Sequence, residues 1–443
     1  MVKKLLNKHT LSLASNAVMP VVGMVTISLL ARNLPEADFG YWTLFLITYT
    51  LATLFRSGFL QTSLVKFYAG AVKERALNVA GSTWLLAFGI TAILGFVSLM
   101  ACLFYHGDSP TMTTIKWFGI IFFATLPSSI TLWILQAEER FDRVFILQLF
   151  GQGSFLIAVC VLIFLNLARF DIVIRVYCMA AATTSLFAIA TGWSRIVAVP
   201  RKSLACIREL MNFGKYSVTT SISSYLLRGS DIYIIKFMFT DASLVGIYYL
   251  PQRLMEVIEI PLRSFIATAL PAMSAAVQRD DKRHTTYIMK KYAGILTILL
   301  IPVSIGGFIC ADIVVDIIGG DKFSATSAAN IFRIFMCFAI LLPVDRFFGI
   351  SFDMLGKPQK NMTKVFIMLA VNISCDFLGI YFLHSIYGVA IASIFTFIVG
   401  VGYGYWELTK LLDFNFIDII RSGYSELKEI LTDLNKKFKA RNA

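Results

Sequence analysis

Arg253, Glu256, Glu259 and Arg263 stand in a stretch, Gly246 to Ala275, that is otherwise apolar enough to cross a bilayer. At about 100° per residue the four fall within an arc of roughly 120°, so they form one charged stripe along a helix. A charge facing lipid at mid-bilayer costs at least ~2.5–3.5 kcal/mol, so such a stripe must face protein or a water-filled cavity. Arginine offers a planar fork of donors and keeps its charge, which suits phosphate. The chemistry this pattern supports is therefore the holding of an anion inside a membrane. Pro251, Pro261 and Pro271 punctuate the same helix, and a membrane helix tolerates proline where neighbours or water re-satisfy the freed carbonyls.

The other charges inside apolar stretches are Arg56; Arg228, Asp231 and Lys236; Asp345, Arg346 and Asp353; and Asp376. Arg56, Arg228, Arg253, Arg263 and Arg346 form the candidate cationic set for an anionic substrate. Asp231, Glu256, Glu259, Asp345 and Asp376 are candidates for balancing that charge or for binding a coupling ion, H+ or Na+. Arg228 with Asp231 and Arg253 with Glu256 are three residues apart, so each pair can neutralise itself on one helix face. Structural ion pairing accounts for such pairs equally well, but not for Arg56, which has no acid in its own span. Tyr225, Tyr248, Tyr249, Gln252 and the serines Ser217, Ser221, Ser223 and Ser224 could meet sugars or simply pack helices.

These residues need membrane helices to position them. The chain has 443 residues, 57% hydrophobic and only 15% charged, with a mean hydropathy of +0.73, which places it among polytopic membrane proteins. Twelve apolar runs of spanning length lie near 11–31, 39–62, 80–104, 114–136, 145–167, 172–194, 214–238, 246–275, 292–318, 330–353, 365–383 and 387–408. The net charge of +13 follows topology rather than nucleic acid. Of 40 basic residues, 28 fall on the side of the N-terminal Lys3, Lys4 and Lys8, among them Lys357, Lys360 and Lys364, and 6 on the other. This predicts that both termini are cytoplasmic. The short connections leave little room for an external catalytic domain, so no enzyme is expected. The seven cysteines are scattered without a CxxC and the four histidines make no metal motif, so no metal or other cofactor is expected.

Two amphipathic segments suit the inner leaflet: Pro200–Phe213, and a tail with Ile420, Tyr424, Leu427, Leu431, Leu434 and Phe438 at helical spacing. The expected domains are a six-helix lobe at 1–199, a linker helix at 200–213, a second six-helix lobe at 214–410 and an amphipathic tail at 411–443. An internal repeat supports two lobes. Phe123-Ala124 leads to Pro127, and Phe338-Ala339 to Pro343, each proline eleven residues before its loop. Gly40 and Gly246 open corresponding spans, with Arg56 and Arg263 sixteen and seventeen residues later. Parallel repeats of this kind place a substrate site between halves.

The stretch Ser15–Leu44, with Asn16, Ala31, Arg32, Leu34 and Gly40, resembles the first span and turn of bacterial polysaccharide-biosynthesis flippases. Asp231–Tyr249, Gly319–Phe335 and Asp353–Asn361 follow the same family's pattern, in order along nearly the whole chain. The resemblance implies an O-antigen or capsule repeat-unit flippase of the multidrug/oligosaccharidyl-lipid/polysaccharide exporter superfamily. It further implies an all-α fold of twelve transmembrane helices in two lobes around a central cavity that alternates its access. The implied cargo is an undecaprenyl-pyrophosphate-linked oligosaccharide moved from the cytoplasmic to the periplasmic leaflet of a bacterial inner membrane. Polymerase and chain-length components are the implied protein partners, beside membrane lipids, in lipopolysaccharide assembly. Two alternatives are a cation-coupled multidrug extruder and, of a different class, a membrane-embedded polymerase or acyltransferase. The first lacks a mid-span acid in spans 1 to 6, and the second lacks a sizeable external loop.

Overall fold

Lipid offers no partner to a backbone N–H or C=O, so a chain this apolar satisfies its backbone within helices. The computed structural model describes the backbone of residues 8–442. It describes the side chains of residues 18–429 and Thr432, except those of Tyr216, Ser217, Thr219, Thr220, Ser264, Ala267 and Pro271. Lys3 and Lys4, and the side chains of Asn16, Ser217, Pro271, Leu431, Leu434 and Phe438, which entered the expectations above, lie outside the described residues.

The helices, in order, are α1 (Lys8–Asn33), α2 (Glu36–Tyr68), α3 (Lys73–Phe104), α4 (Ser109–Ala124), α5 (Leu126–Ala137), α6 (Phe141–Phe164) and α7 (Phe170–Ala190). A 3-10 segment at Ile196–Arg201 leads into α8 (Leu204–Met238) and α9 (Ser243–Gln278). There follow α10 (Lys282–Ile309), α11 (Ala311–Gly319), α12 (Asp321–Ser324), α13 (Ala328–Ala339), α14 (Leu342–Met354), α15 (Pro358–Leu383), α16 (Tyr387–Leu408) and α17 (Phe416–Asn442). Among the described residues eight helices are long and apolar enough to cross a membrane, and ten if each of two bent pairs is one span. The protein is thus an all-helical, multi-pass membrane protein.

The runs expected at 114–136 and 330–353 are not single rods. α4 and α5 meet at 43°, and α13 and α14 at 49°. Each first limb ends at the predicted alanine, Ala124 or Ala339, and each second limb carries the predicted proline, Pro127 or Pro343, at its second position. A proline there has no N–H to return to the preceding limb, which opens the ladder where the helix bends. The two internally repeated motifs therefore mark two equivalent breaks.

Other edges moved. The span expected at 292–318 begins ten residues earlier, at Lys282, and its end is the separate helix α11, because helical hydrogen bonding continues where hydropathy stops. Of the segment expected at 200–213, residues 204–213 join the span after them in one continuous helix, α8, while Pro200 and Arg201 close the preceding 3-10 turn. α9 likewise runs unbroken through Pro251 and Pro261.

The chain forms two compact units, residues 1–229 with 241–246, and residues 230–240 with 247–443. In the first, α2, α3 and α5 close on Leu60, Leu64, Trp84, Ile130, Trp133 and Ile134, with Leu210 from α8. Trp84 donates its indole N–H to the Ser194 carbonyl at 2.9 Å. The repeated glycines meet here. A Cβ on Gly40 would lie 1.8 Å from the Ala242 carbonyl oxygen, and one on Gly246 would lie 2.8 Å from the Phe39 ring and 3.3 Å from the Gly40 nitrogen. Only glycine permits so close an approach. In the second unit the tail is docked: a Cβ on Gly294 of α10 would fall 2.0 Å from the Ile419 carbonyl of α17. Glu426 of α17 accepts from Tyr287 and pairs with Lys291, both of α10. Large apolar side chains such as Phe88, Ile93, Phe96, Leu103 and Phe164 are exposed, as expected of helix faces whose solvent is lipid.

Candidate functional site

The stripe on α9 lies in the second unit and divides into two levels. Arg253 and Glu256 pair along the helix, with Nη1 donating to both carboxylate oxygens at 2.5 and 2.6 Å. About 5 to 9 Å further along the helix, Glu259 stands between two arginines. Arg263 Nη2 is 3.2 Å from one carboxylate oxygen and Arg346 Nη2, reaching over from α14, is 3.5 Å from the other. Glu259 is largely covered, at 15% side-chain exposure, whereas Arg263 is 61% and Arg346 35% exposed. One carboxylate thus serves two guanidinium groups, and the five residues together keep a net positive charge. The arrangement presents forked donors outward with an acid behind them, a geometry that receives an anion with paired oxygens.

The acids of the candidate coupling set have separate fates. Glu256 and Glu259 are paired as described. Asp345, buried in the first turn of α14, accepts from Lys364 of α15: Nζ lies 2.7 Å from Oδ1 and 2.8 Å from the Asp345 main-chain oxygen. Lys364, counted by sequence with a loop on the inner side, is 3% exposed. The loop ends sooner than its charge implies, because a buried partner waits one helix away. Asp231 and Asp376 differ from the rest. Both are buried, and among the described residues neither has a Lys or Arg partner within ion-pair distance. Tyr248 donates to Asp231 Oδ2, Asn372 donates to both oxygens of Asp376 at 3.2 and 3.1 Å, and Ser393 is a polar neighbour of Tyr248. The two carboxyls are polar neighbours of one another.

In the first unit Arg56 is fully buried. Its Nη1 donates to Thr91 Oγ1 at 3.1 Å and to the Phe122 carbonyl at 2.9 Å, and its Nη2 donates to Thr125 Oγ1 at 3.1 Å and Ser129 Oγ at 3.0 Å. Arg56 is thus enclosed, whereas Arg263, its counterpart by spacing, is largely exposed. Arg228 is exposed, and Asp231 turns to Tyr248 in place of the expected i,i+3 arginine. Tyr225 gives its hydroxyl to the Ile47 carbonyl at 2.9 Å, a packing contact. Outside the spans, Asp108 caps α4, accepting from the Thr111 N–H at 3.0 Å and from Tyr105 Oη at 2.7 Å. Partial burial pushes its carboxyl up, but hydrogen bonds from Tyr105, Thr111 and Tyr41 outweigh that and bring it down to about 2.

Lys364, Asn372, Ser393 and the hydroxyls around Arg56 escaped the sequence reading. Asn372 and Asp376 are four residues apart in a span, a spacing that puts them on one face and could have been noticed. Nothing in the sequence singles out Thr91, Thr125 or Ser129 among the many membrane Ser and Thr residues. Among the described residues no three His, Cys, Asp or Glu side chains come together as metal ligands.

Comparison with known proteins bears on this geometry. The family model described as polysaccharide biosynthesis protein matches residues 29–328. A curated relative from Haloferax volcanii, named "Probable low-salt glycan biosynthesis flippase Agl15", is 25% identical over 212 residues, which cover 48% of this chain and 44% of that protein. The chain therefore spans less than half the length of the curated relative it matches. Among solved structures, an inward-facing multidrug resistance MATE family transporter of the MOP superfamily superposes with a TM-score of 0.72 at 14% identity, covering 91% of this chain and 99% of that one. The lipid II flippase MurJ, in an inward closed conformation, superposes with a TM-score of 0.74 at 13% identity, covering 95% and 92%. At such identities the two structures establish the fold alone.

Proposed function

Because the chain belongs to the polysaccharide biosynthesis protein family, a family of transporters and not of enzymes, we propose that it is a flippase for lipid-linked oligosaccharide. The cargo is a repeat unit on undecaprenyl pyrophosphate, carried from the cytoplasmic to the periplasmic leaflet by alternating access of two six-helix lobes. α1 and α8 complete a set of twelve spans in this reading, and the excess of basic residues on one side puts both termini in the cytoplasm of a bacterium. The observation that carries the proposal is the shared Glu259 carboxylate: it orients Arg263 and Arg346 yet leaves the cluster cationic. Pyrophosphate is the part of such a substrate that a pair of exposed guanidinium forks recognises, while Arg253, already engaged by Glu256, sets the charge around it.

The acids sort by the same logic. Glu256, Glu259 and Asp345 balance cations, so the coupling role falls to Asp231 and Asp376, which have none. Two neighbouring buried acids without a cation partner are where H+ or Na+ would bind and leave as access changes, which couples transport to a cation gradient in this reading. The multidrug alternative has the shared fold behind it and no residue in this site. O-antigen and lipopolysaccharide assembly are the pathway this reading points to, with a polymerase and chain-length protein next in line.

Substituting Arg263→Ala and Arg346→Ala together tests the reading. Surface display of polysaccharide should disappear while the amount of the protein in the membrane stays the same. Normal display in the double variant would show that the cationic cluster is not the pyrophosphate site.

A further inference from the structure

We propose that the break between α4 and α5 is a working hinge of the transport cycle, and that Arg56 of α2 and Ser185 of α7 are the positioning residues that hold it bent. The bend has two causes in the chain itself. Pro127 has no N–H to give to the preceding limb. The next amide, that of Ser128, is turned from the Ala124 carbonyl by an inserted hydroxyl: it donates to Ser185 Oγ at 3.2 Å, and Ser185 Oγ donates to the Ala124 carbonyl at 2.5 Å. A single side chain therefore occupies the place of one i→i−4 bond, which is how a side chain keeps a helix kinked.

Arg56 spans the same break. It grips the last turn of α4 at Phe122, the junction at Thr125 and the first turn of α5 at Ser129. It also holds Thr91 of α3, and its guanidinium lies 5.9 Å from the centre of the Phe122 ring. All of these partners are neutral, and Nε has no partner at all. A buried charge without a counter-charge is a costly way to fill space, and an apolar side chain is often as good or better for stability. Nor do the hydroxyls need it: Thr125 Oγ1 and Ser129 Oγ donate to the Ile121 and Thr125 carbonyls, both at 2.8 Å. Arg56 uses only their lone pairs, so its removal strands neither donor. The equivalent break in the second unit also receives a buried cation from a neighbouring helix, Lys364, but that one has Asp345 as its counter-charge. The first break is the one held solely by neutral acceptors, and neutral acceptors release a cation more readily than a carboxylate does. Re-forming the Ser128–Ala124 bond would straighten the span.

The test reads the bend itself, so it stands or falls apart from the identity of the cargo. Spin labels at Met112 and Glu139, both exposed, are introduced into the full chain with its native cysteines replaced, in lipid nanodiscs. With limbs rising 1.5 Å per residue the labelled positions are about 38 Å apart at the 43° bend and about 40 Å apart when straight. Arg56→Met and Ser185→Ala should each shift the distance distribution toward the longer value. Each should also lower translocation of a fluorescent isoprenyl-pyrophosphate disaccharide in proteoliposomes at least tenfold, and Arg56→Lys should keep the shorter distance and part of the transport. Ser185→Ala removes one oxygen and keeps the test open should Arg56→Met fail to fold. Unchanged distances in the folded variants would overturn the role of these residues, and straightened variants that transport normally would overturn the hinge.

Discussion

Replacing Glu259 by glutamine should tighten the binding of an anionic lipid pyrophosphate, whereas replacing Arg263 by alanine should weaken it. The carboxylate sits 3.2 Å from Arg263 and 3.5 Å from Arg346. A phosphate oxygen held by the far side of either fork is then about 7 Å from it. Removing one negative charge at that distance is worth about 2.4 kcal/mol at an effective dielectric of about 20, and about 0.6 kcal/mol in water. The gain in affinity is therefore about 3- to 60-fold, and the 61% exposure of Arg263 draws it toward the lower end. Arg263→Ala instead loses a charge-assisted hydrogen bond of about 1.5–3 kcal/mol, or roughly 10- to 150-fold. Binding of a fluorescent short-chain isoprenyl pyrophosphate to the purified protein in nanodiscs, at one fixed ionic strength, measures both. The opposite signs are the point of the experiment. If Glu259→Gln weakened binding or left it unchanged, the carboxylate would not be tuning an anion site, and the assignment of this cluster to pyrophosphate would fail.

Three further outcomes are expected. Asp376→Asn keeps a donor beside Asp231 but carries no exchangeable carboxyl proton, so it should retain pyrophosphate binding and abolish proton movement during transport, as followed by a pH-sensitive dye inside proteoliposomes. Lys364→Met strands the buried Asp345 carboxylate and should cost about 3–5 kcal/mol of stability; adding Asp345→Leu should return most of it, seen as recovery of the thermal midpoint in detergent. Asp108→Ala removes the cap of α4 at a cost of about 1 kcal/mol. The Asp108 carboxyl is lowered by folding from 3.8 to about 2, so its contribution is complete above pH 4 and fades as the pH falls from about 4 to about 2. The difference in midpoint between wild type and Asp108→Ala should shrink over that window.

Hydropathy and spacing alone were enough for the membrane class, for a span at 246–275 inside the helix Ser243–Gln278 and for the charged stripe on it, while the two repeated proline motifs marked the places of breaks that the runs at 114–136 and 330–353 did not themselves show. The reason is local: a run of apolar residues must be helical in lipid, proline lacks an N–H wherever it falls, and charges at three- and four-residue spacing share a helix face in any context. The resemblance of Ser15–Leu44 and of Asp231–Tyr249 to polysaccharide flippases likewise needed only order along the chain. What the sequence left open was which charge meets which. Glu259 could have served Arg263 alone, Asp345 had no visible cation, and Asp231 lay three residues from an arginine it does not use. Those choices depend on side chains brought in from other helices: Arg346, Lys364, Tyr248 and Asn372. The same holds for Arg56, an apparent match to Arg263 by spacing. Only packing puts neutral hydroxyls from α3, α4 and α5 around it, and so distinguishes an arginine enclosed at a helix break from the more exposed arginines beside Glu259.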